Sequence, residues 1–175
     1  MVRAGANIGA LSHVEMLALG QALDFAPRIV SAGGGSGVRQ AILSGDVDIG
    51  DQNPSAVASL VKDGQLKALA YYGSSRSSYL PDTPTMAEQG YDTPSAMCNS
   101  GYFWIRRDTP QEIKDYWTNL LETQLMAPET KAQLEETLGV EILFVGGDDM
   151  DALADKIWKE RVDIVDTFGL KVETN

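Results

Sequence analysis

Short apolar, β-prone runs alternate along this chain with segments of helical periodicity. "VRAGA" predicts a strand over Val2–Ala6. His13 to Asp24 then places Met16, Leu17, Leu19, Gly20 and Leu23 at roughly helical spacing. Ser12, with Glu15 three positions on, reads as a capping box at its start. "RIVSA" is β-branched and follows Pro27, so it predicts the second strand. "SGVRQAILSG" predicts a helix ending at Gly45, and "DVDIGD" a strand that starts and ends on acids. Asn53 caps a helix with Pro54 at its first position, running through Val61. "DG" at 63 and 64 turns the chain into "QLKALAYYG", another predicted strand.

This order of strand and helix, with short connections, predicts a mostly parallel sheet with helices outside it. "SSRSSYLPDTPTMAEQGYDTPS" breaks the rhythm, with a short helix expected at Thr85 to Gln89. "SGYFWIRRD" then predicts an aromatic strand. A long helix follows, with Thr109 as cap and Pro110 first. Pro128 ends it and starts another helix. "VEILFVGG" predicts a strand, and "DMDALADKIWKERVDIVDTFG" a terminal helix. Composition shifts near residues 95 to 105. The expected division is a complete α/β unit over 1–100 and an incomplete one over 101–175.

Length and charge narrow the picture. The chain has 175 residues and a formal net charge of -11. That is one ordinary domain or two small ones. Such a charge disfavours nucleic acid and anionic lipid as partners. An anionic small ligand stays open, because local backbone N–H groups outweigh distant carboxylates. Cys98 is the single cysteine, so no intrachain disulfide or cysteine-based metal site is expected. The first residues hold no apolar run suited to a signal peptide. The apolar runs are too short to span a bilayer. For an exported protein, the targeting segment would lie outside this chain.

The candidate chemistry lies in the loops after the first three predicted strands. They carry "LSHVE", "GGGSG" and "QNPSA", and each opens a helix with a small polar residue. In a parallel sheet these loops share one edge, where open α/β folds bind ligands. Three helix N-termini there offer free N–H groups to a carboxylate as readily as to a phosphate. Plain helix capping explains the same residues. Nucleotide binding fits poorly. A Walker loop needs Lys and Ser or Thr after its last glycine, but Val38 and Arg39 follow Gly37. A dinucleotide fingerprint needs a third small residue where Gln40 stands.

Other residues are weaker candidates. His13 is the only histidine and forms no metal cluster. At the first turn of a helix it is poorly placed to be charged. Ser12, Ser36, Ser55 and Cys98 are possible nucleophiles, but none stands in a G-x-S-x-G elbow. Asp46 and Asp48 share a strand face by spacing and more often flank a strand than catalyse. Asp51, at a strand exit, is better placed to accept from an ammonium or hydroxyl group. Tyr71 and Tyr72 alternate faces, so one should look inward. The aromatics of "YFWIRR", with Trp117 and Trp158, are most simply core or interface residues.

Taken together, the motifs resemble the substrate receptors of tripartite tricarboxylate transporters, also called Bug-type periplasmic receptors. The matching stretches are "ALSHVEML", "SAGGGSGVRQAILSGDVDIGDQNPSAVASLVKDGQLKALA", "LPDTPTMAEQGY", "GYFWIRRDTP" and "GGDDMDALADKIWKE". The likeness runs over nearly the whole chain. It implies a periplasmic-binding-protein-like fold of type II. One α/β lobe would be complete, and the returning part of a second lobe incomplete. It also implies a periplasmic, non-enzymatic receptor for a small organic anion or amino acid, working with membrane transporter subunits and no cofactor. Carried over by motif, the ligand-binding residues are Ser12 and His13, then Gly33, Gly34, Gly35 and Ser36, then Asp51, Asn53 and Ser55. These are the three helix starts already singled out.

Two departures from the family pattern bear on this. Ala32, Gly33 and Gly34 stand where the family usually has a tyrosine-lysine-glycine loop, which leaves more room or demands different contacts. The chain also starts where the family's second lobe starts, so exposed first-lobe surfaces are expected to pair in a homo-oligomer. A degenerate receptor half with an assembly role is the alternative function. An enzyme using His13 and an acid is a third.

Overall fold

The computed structural model describes residues 1–92, 97, 101–139 and 141–170. Three strands form a parallel sheet in the order β2-β1-β3: β1 over Arg3–Ala6, β2 over Arg28–Ser31 and β3 over Ile49–Gly50. Ala4 stands opposite both Ile29 and Ile49, which fixes the register. Helix α1 (Leu11–Ala22) links β1 to β2, α2 (Gly35–Ser44) links β2 to β3, and α3 (Pro54–Lys62) follows β3. A 3-10 turn covers Ala87–Gln89. Helices α4 (Gln111–Leu125), α5 (Pro128–Leu138) and α6 (Gly147–Thr167) complete the described elements.

The strand β1 alternates small residues, and this sets the layers. Ala4 and Ala6 are fully buried and pack with Met16 of α1 on one face. Gly5 lies on the other face, under Val38 of α2 and Val47. A Cβ on Gly50 would come within 2.3 Å of the Val38 side chain, so this strand needs glycine to let α2 approach. Helix α1 is apolar nearly all round because it is covered twice. Its other side carries Leu17 and Ala18, which cluster with Met97 and with Ile164 of α6.

Several helix ends follow local chemistry. The Asn53 side chain accepts the Ser55 N–H at 3.0 Å, and Pro54 takes the first turn of α3. Gly45 and Gly139 end α2 and α5 in the left-handed conformation. Other expectations fail. Helix α1 starts at Leu11, with Ala10 as a cap that makes no side-chain bond. Ser12 instead accepts the Asn7 N–H at 3.1 Å, and Glu15 is buried, so no capping box forms there. A reciprocal box forms at Thr85 and Glu88, holding the 3-10 turn: each residue's N–H meets the other's side chain, at 2.7 and 3.1 Å. Pro110, not Thr109, stands at the cap of α4.

Four expected strands are reduced or missing among the described residues. The "DVDIGD" run pairs only at Ile49–Gly50, because the Asp46 and Val47 amides turn back to the Ala41 carbonyl of α2. "QLKALAYYG" retains one bridge, between Tyr71 and Thr85. Residues 101–108 and 141–146 form no ladder among the described residues. A β-prone run becomes a strand only beside an edge that accepts its hydrogen bonds. The aromatics of the first run are consequently exposed, Phe103 at 74% and Trp104 at 84%. Trp117 and Trp158 are exposed as well, so neither belongs to the core.

Candidate functional site

Because the sheet is parallel, the loops after β1, β2 and β3 leave the same edge. Helices α1 and α2 cover opposite faces, and β1 lies between β2 and β3. The chain direction therefore reverses at β1, which is where an open α/β sheet forms a crevice.

The first loop is a tight turn, with the Ala10 N–H bonded to the Asn7 carbonyl and Gly9 at φ +81. It delivers Ser12 and His13. His13 is buried, and its Nδ1 accepts the Gly9 N–H at 3.4 Å, which leaves the proton on Nε2. Burial lowers its pKa, so the ring is a neutral donor at neutral pH.

The second loop runs from Ala32 to Gly34. Gly33 has φ +74, a conformation that favours glycine. Gly34 caps α2 without a side-chain bond, so no side-chain cap covers the first amides of Gly35, Ser36 and Gly37. A Cβ on Gly37 would stand 1.9 Å from the Ala32 carbonyl oxygen, whereas one on Gly34 would meet nothing within 4 Å. The glycines thus have different duties: Gly37 permits the turn, and Gly34 keeps the helix mouth open.

The third loop carries Asp51, Gln52 and Asn53. Gln52 ties it to the second: Arg39 of α2 donates to its Oε1 at 3.3 Å, and its amide donates to the Asp51 carbonyl at 2.7 Å. Reading the loops singly missed Arg39. Arg39 is the nearest sequence-encoded cation to the glycine loop, and that position is the signal that marks it. Asn53 and Ser55 are taken up by capping, the Ser55 hydroxyl donating to Asn53 Oδ1 at 2.8 Å. Gly139, at the end of α5, packs against both residues. The third helix start is therefore partly covered by the chain itself.

Asp51 does not stand alone. Its carboxyl lies close enough to that of Glu15 on α1 for each to act on the other's titration. Burial, reinforced by the charge of Asp51, pushes Glu15 up to about 7, against an opposing pull from Arg161 of α6. Burial raises Asp51 as well. The Tyr72 hydroxyl is raised by burial and then by both acids. Tyr72 packs on the α1–α6 core, while Tyr71 lines a small cavity with Glu135 and Glu141. The two tyrosines thus face different surroundings.

The remaining candidates have structural ties. Asp48 takes a two-pronged grip from Arg3, at 2.6 and 3.2 Å, plus the Arg3 N–H. Asp46 accepts the Ser44 hydroxyl at 2.7 Å. Cys98 lies outside the described residues. Among the described residues, no group of His, Cys, Asp and Glu side chains is placed to hold a metal. No described helix is long and apolar enough to cross a membrane. An open groove of about 650 Å³ runs along the edge of β2 beside α2, from Arg28 to Ala32 of the second loop and Gly37 of α2.

Residues 4–170 match the tripartite tricarboxylate transporter family receptor. The chain is 36% identical to Protein BugT of Bordetella pertussis over 88 residues, 50% of this chain and 26% of BugT. A TctC solute-binding protein from Polaromonas superposes with a TM-score of 0.71 at 16% identity, covering 95% of this chain and 57% of that one. MatC from Rhodopseudomonas palustris, solved with bound malate, gives 0.55 at 22% identity, with 94% and 56% covered. An R. palustris protein solved with adipate gives 0.59 at 22% identity, with 93% and 55% covered. The chain thus spans little more than half the length of these solved relatives, whose likeness shows an α/β periplasmic-binding-protein-like fold. By its match over residues 4–170, the chain belongs to the tripartite tricarboxylate transporter receptor family.

Proposed function

We propose that this chain binds a small organic carboxylate in the crevice formed by the loops after β1, β2 and β3. The observation that carries this reading is the α2 start: a glycine mouth without a side-chain cap, kept open at Gly34, with Arg39 one turn behind it. Free amides at a helix N-terminus attract a carboxylate. Gly33, Gly34, Gly35 and Ser36 present these amides. Ser12 and the neutral His13 border the crevice from the first loop, and Asp51, Asn53 and Ser55 from the third. The Asp51 side favours ligands that bring a hydroxyl or amino group. As in a type II receptor, residues 1–100 form one lobe and 101–175 the returning part of another. The protein works in the periplasm and hands its solute to membrane transporter subunits.

A thermal-shift and calorimetric panel tests this reading, using malate, adipate, tricarboxylates, aromatic carboxylates and amino acids. Saturable stabilisation by one carboxylate class is expected, since a ligand of the folded state raises apparent stability. Flat responses from folded protein across the panel overturn it.

A second reading follows from the exposed aromatics Phe103, Trp104 and Trp158. An exposed apolar surface of this kind marks an assembly face. A second copy of the chain covers it, giving a homo-oligomer whose role is structural if the panel is flat. Light scattering showing a monodisperse monomer at micromolar concentration excludes that assembly.

A further inference from the structure

Arg39 is a half-buried cation without a counter-charge. Arg3, Arg76 and Arg106 each grip a carboxylate, at 2.6, 2.9 and 2.7 Å. Among the described residues no acid pairs with Arg39, whose hydrogen bond runs to the neutral Gln52 Oε1 at 3.3 Å. That is longer than the roughly 2.7 to 2.9 Å of an ionised pair, and it uses one of the five guanidinium donors. Gln52 is fixed from its other end, where its amide nitrogen donates to the Asp51 carbonyl at 2.7 Å. The place of this pair matters more than its strength. Arg39 follows Gly35 by one helical turn on the same face of α2, and long helical side chains lean toward the helix N-terminus. Gln52 Oε1, which the guanidinium holds, lies 3.9 Å from the Cβ position of Gly35. The guanidinium is thus carried back to the glycine mouth, where Gly34 leaves the space open.

We propose that Arg39 is a specificity-determining ligand-binding residue, and that Gln52 is a neutral place-holder which the ligand's carboxylate displaces. The inference rests on the carboxylate-receptor reading and narrows the ligand's head group to one that is both planar and ionised. One oxygen of the carboxylate takes the amides of the α2 start, and the other pairs with the Arg39 fork. A guanidinium matches a carboxylate with two parallel bonds, and the charge strengthens each of them. A neutral amide fits the same space but only exchanges one uncharged acceptor for another, so it gains nothing over Gln52. The exchange moves a single side chain, because Gln52 stays tied to the Asp51 carbonyl through its amide nitrogen.

Titration calorimetry with malate and with adipate tests the exchange, on the wild type, Arg39→Gln, Arg39→Lys and Gln52→Glu, each checked for folding by its melting temperature. Losing a hydrogen bond to a charged group costs roughly ten- to hundredfold in affinity, the loss expected of Arg39→Gln. Arg39→Lys keeps the charge and loses the fork, so its affinity should fall between those of the wild type and Arg39→Gln. Gln52→Glu separates binding from support. It gives Arg39 a permanent counter-ion, which strengthens a merely structural tie but shuts the ligand's carboxylate out. Its affinity should fall by roughly tenfold or more while its melting temperature holds. Arg39→Gln or Gln52→Glu binding as tightly as the wild type overturns the proposal and leaves the receptor reading standing. NMR of the arginine Nε–H groups in the wild type supplies a readout that does not depend on any variant folding. The Arg39 signal should move on saturation with malate and stay in place with the diamide of malate. An Arg39 signal that bound malate leaves unmoved overturns the proposal. If neither malate, adipate nor any other carboxylate of the panel binds the wild type, the receptor reading falls and this inference falls with it.

Discussion

Gly139 closes α5 directly against Ser55 at the start of α3: a Cβ on Gly139 would lie 2.7 Å from the Ser55 Cβ. The contact joins the second half of the chain to the third crevice loop. It also depends on a left-handed backbone, with φ +67. Gly139→Ala therefore meets both a conformational penalty of about 1 kcal/mol and an overpacking penalty of about 1 to 3 kcal/mol. Gly45→Ala, at φ +78 with nothing within 4 Å of its Cβ, meets only the first. In a chain of this size, 1 kcal/mol shifts the melting temperature by roughly 2 to 4 °C. Scanning calorimetry should find Gly139→Ala the less stable by several degrees. Equal losses would show that the α5–α3 contact is absent in solution.

Asn53 accepts two hydrogen bonds from Ser55, one from the backbone and one from the hydroxyl. Asn53→Ala removes the side-chain cap from α3 and should cost about 1 kcal/mol. Asn53→Asp keeps the acceptor and places a negative charge at a helix N-terminus, so its stability should match the wild type or exceed it. Urea denaturation distinguishes these outcomes. An Asn53→Ala midpoint equal to that of the wild type would remove the capping role.

Stability should peak in mild acid rather than at neutrality. Glu15 rises from the ordinary glutamate value of 4.5 to about 7, chiefly through burial. Between these values the folded chain keeps a proton that the unfolded chain has released, so stability falls as pH rises through the window. The loss amounts to about 2 to 3 kcal/mol. On the acid side, hydrogen bonds from Arg3 hold Asp48 down to about 2, and Arg76 with the Thr85 amide lowers Glu88. Those carboxylates add stability that is present above their ordinary values and lost as pH falls through the depressed ones. Both are surface groups, so that term is small. Urea denaturation from pH 3 to 8.5 should give a maximum near about pH 5. A maximum above pH 7 would contradict the Glu15 assignment.

The features legible in the sequence were those decided within a few residues. Asn53–Pro54, Gly45 and Pro128 act on their own helix ends, and each does so here. Whether a capping box forms depended on its surroundings. Ser12–Glu15 and Thr85–Glu88 have the same spacing, yet only the second closes: Glu15 is buried, and the Ser12 hydroxyl accepts the Asn7 N–H instead. Strands were the least legible. "QLKALAYYG" and "YFWI" have the composition of strands, but a ladder also needs a neighbouring edge, and sequence periodicity carries no record of one. That the three loops share one edge was legible as a group, because the strands before them are parallel. Arg39 was missed because its partner, Gln52, lies in another loop.

The glycine loop allows fold and binding to be separated by two substitutions three residues apart. Gly37→Ala would drive its Cβ to 1.9 Å from the Ala32 carbonyl oxygen, a backbone atom that cannot swing away. The β2–α2 turn must open, and both stability and binding should be lost. Gly34 has φ -75, which alanine adopts freely, and a Cβ there meets nothing within 4 Å. Replacing glycine by alanine at a cap costs about 1 kcal/mol or less. Gly34→Ala should therefore fold with a melting temperature within about 4 °C of the wild type. Its methyl group nevertheless stands at the helix mouth, where the proposed carboxylate meets the Gly35 and Ser36 amides. Weakening one such hydrogen bond costs about 1 to 1.5 kcal/mol, or roughly tenfold in affinity. Titration calorimetry with the best ligand of the carboxylate panel measures this. A folded Gly34→Ala that binds as tightly as the wild type would place the carboxylate away from the α2 start.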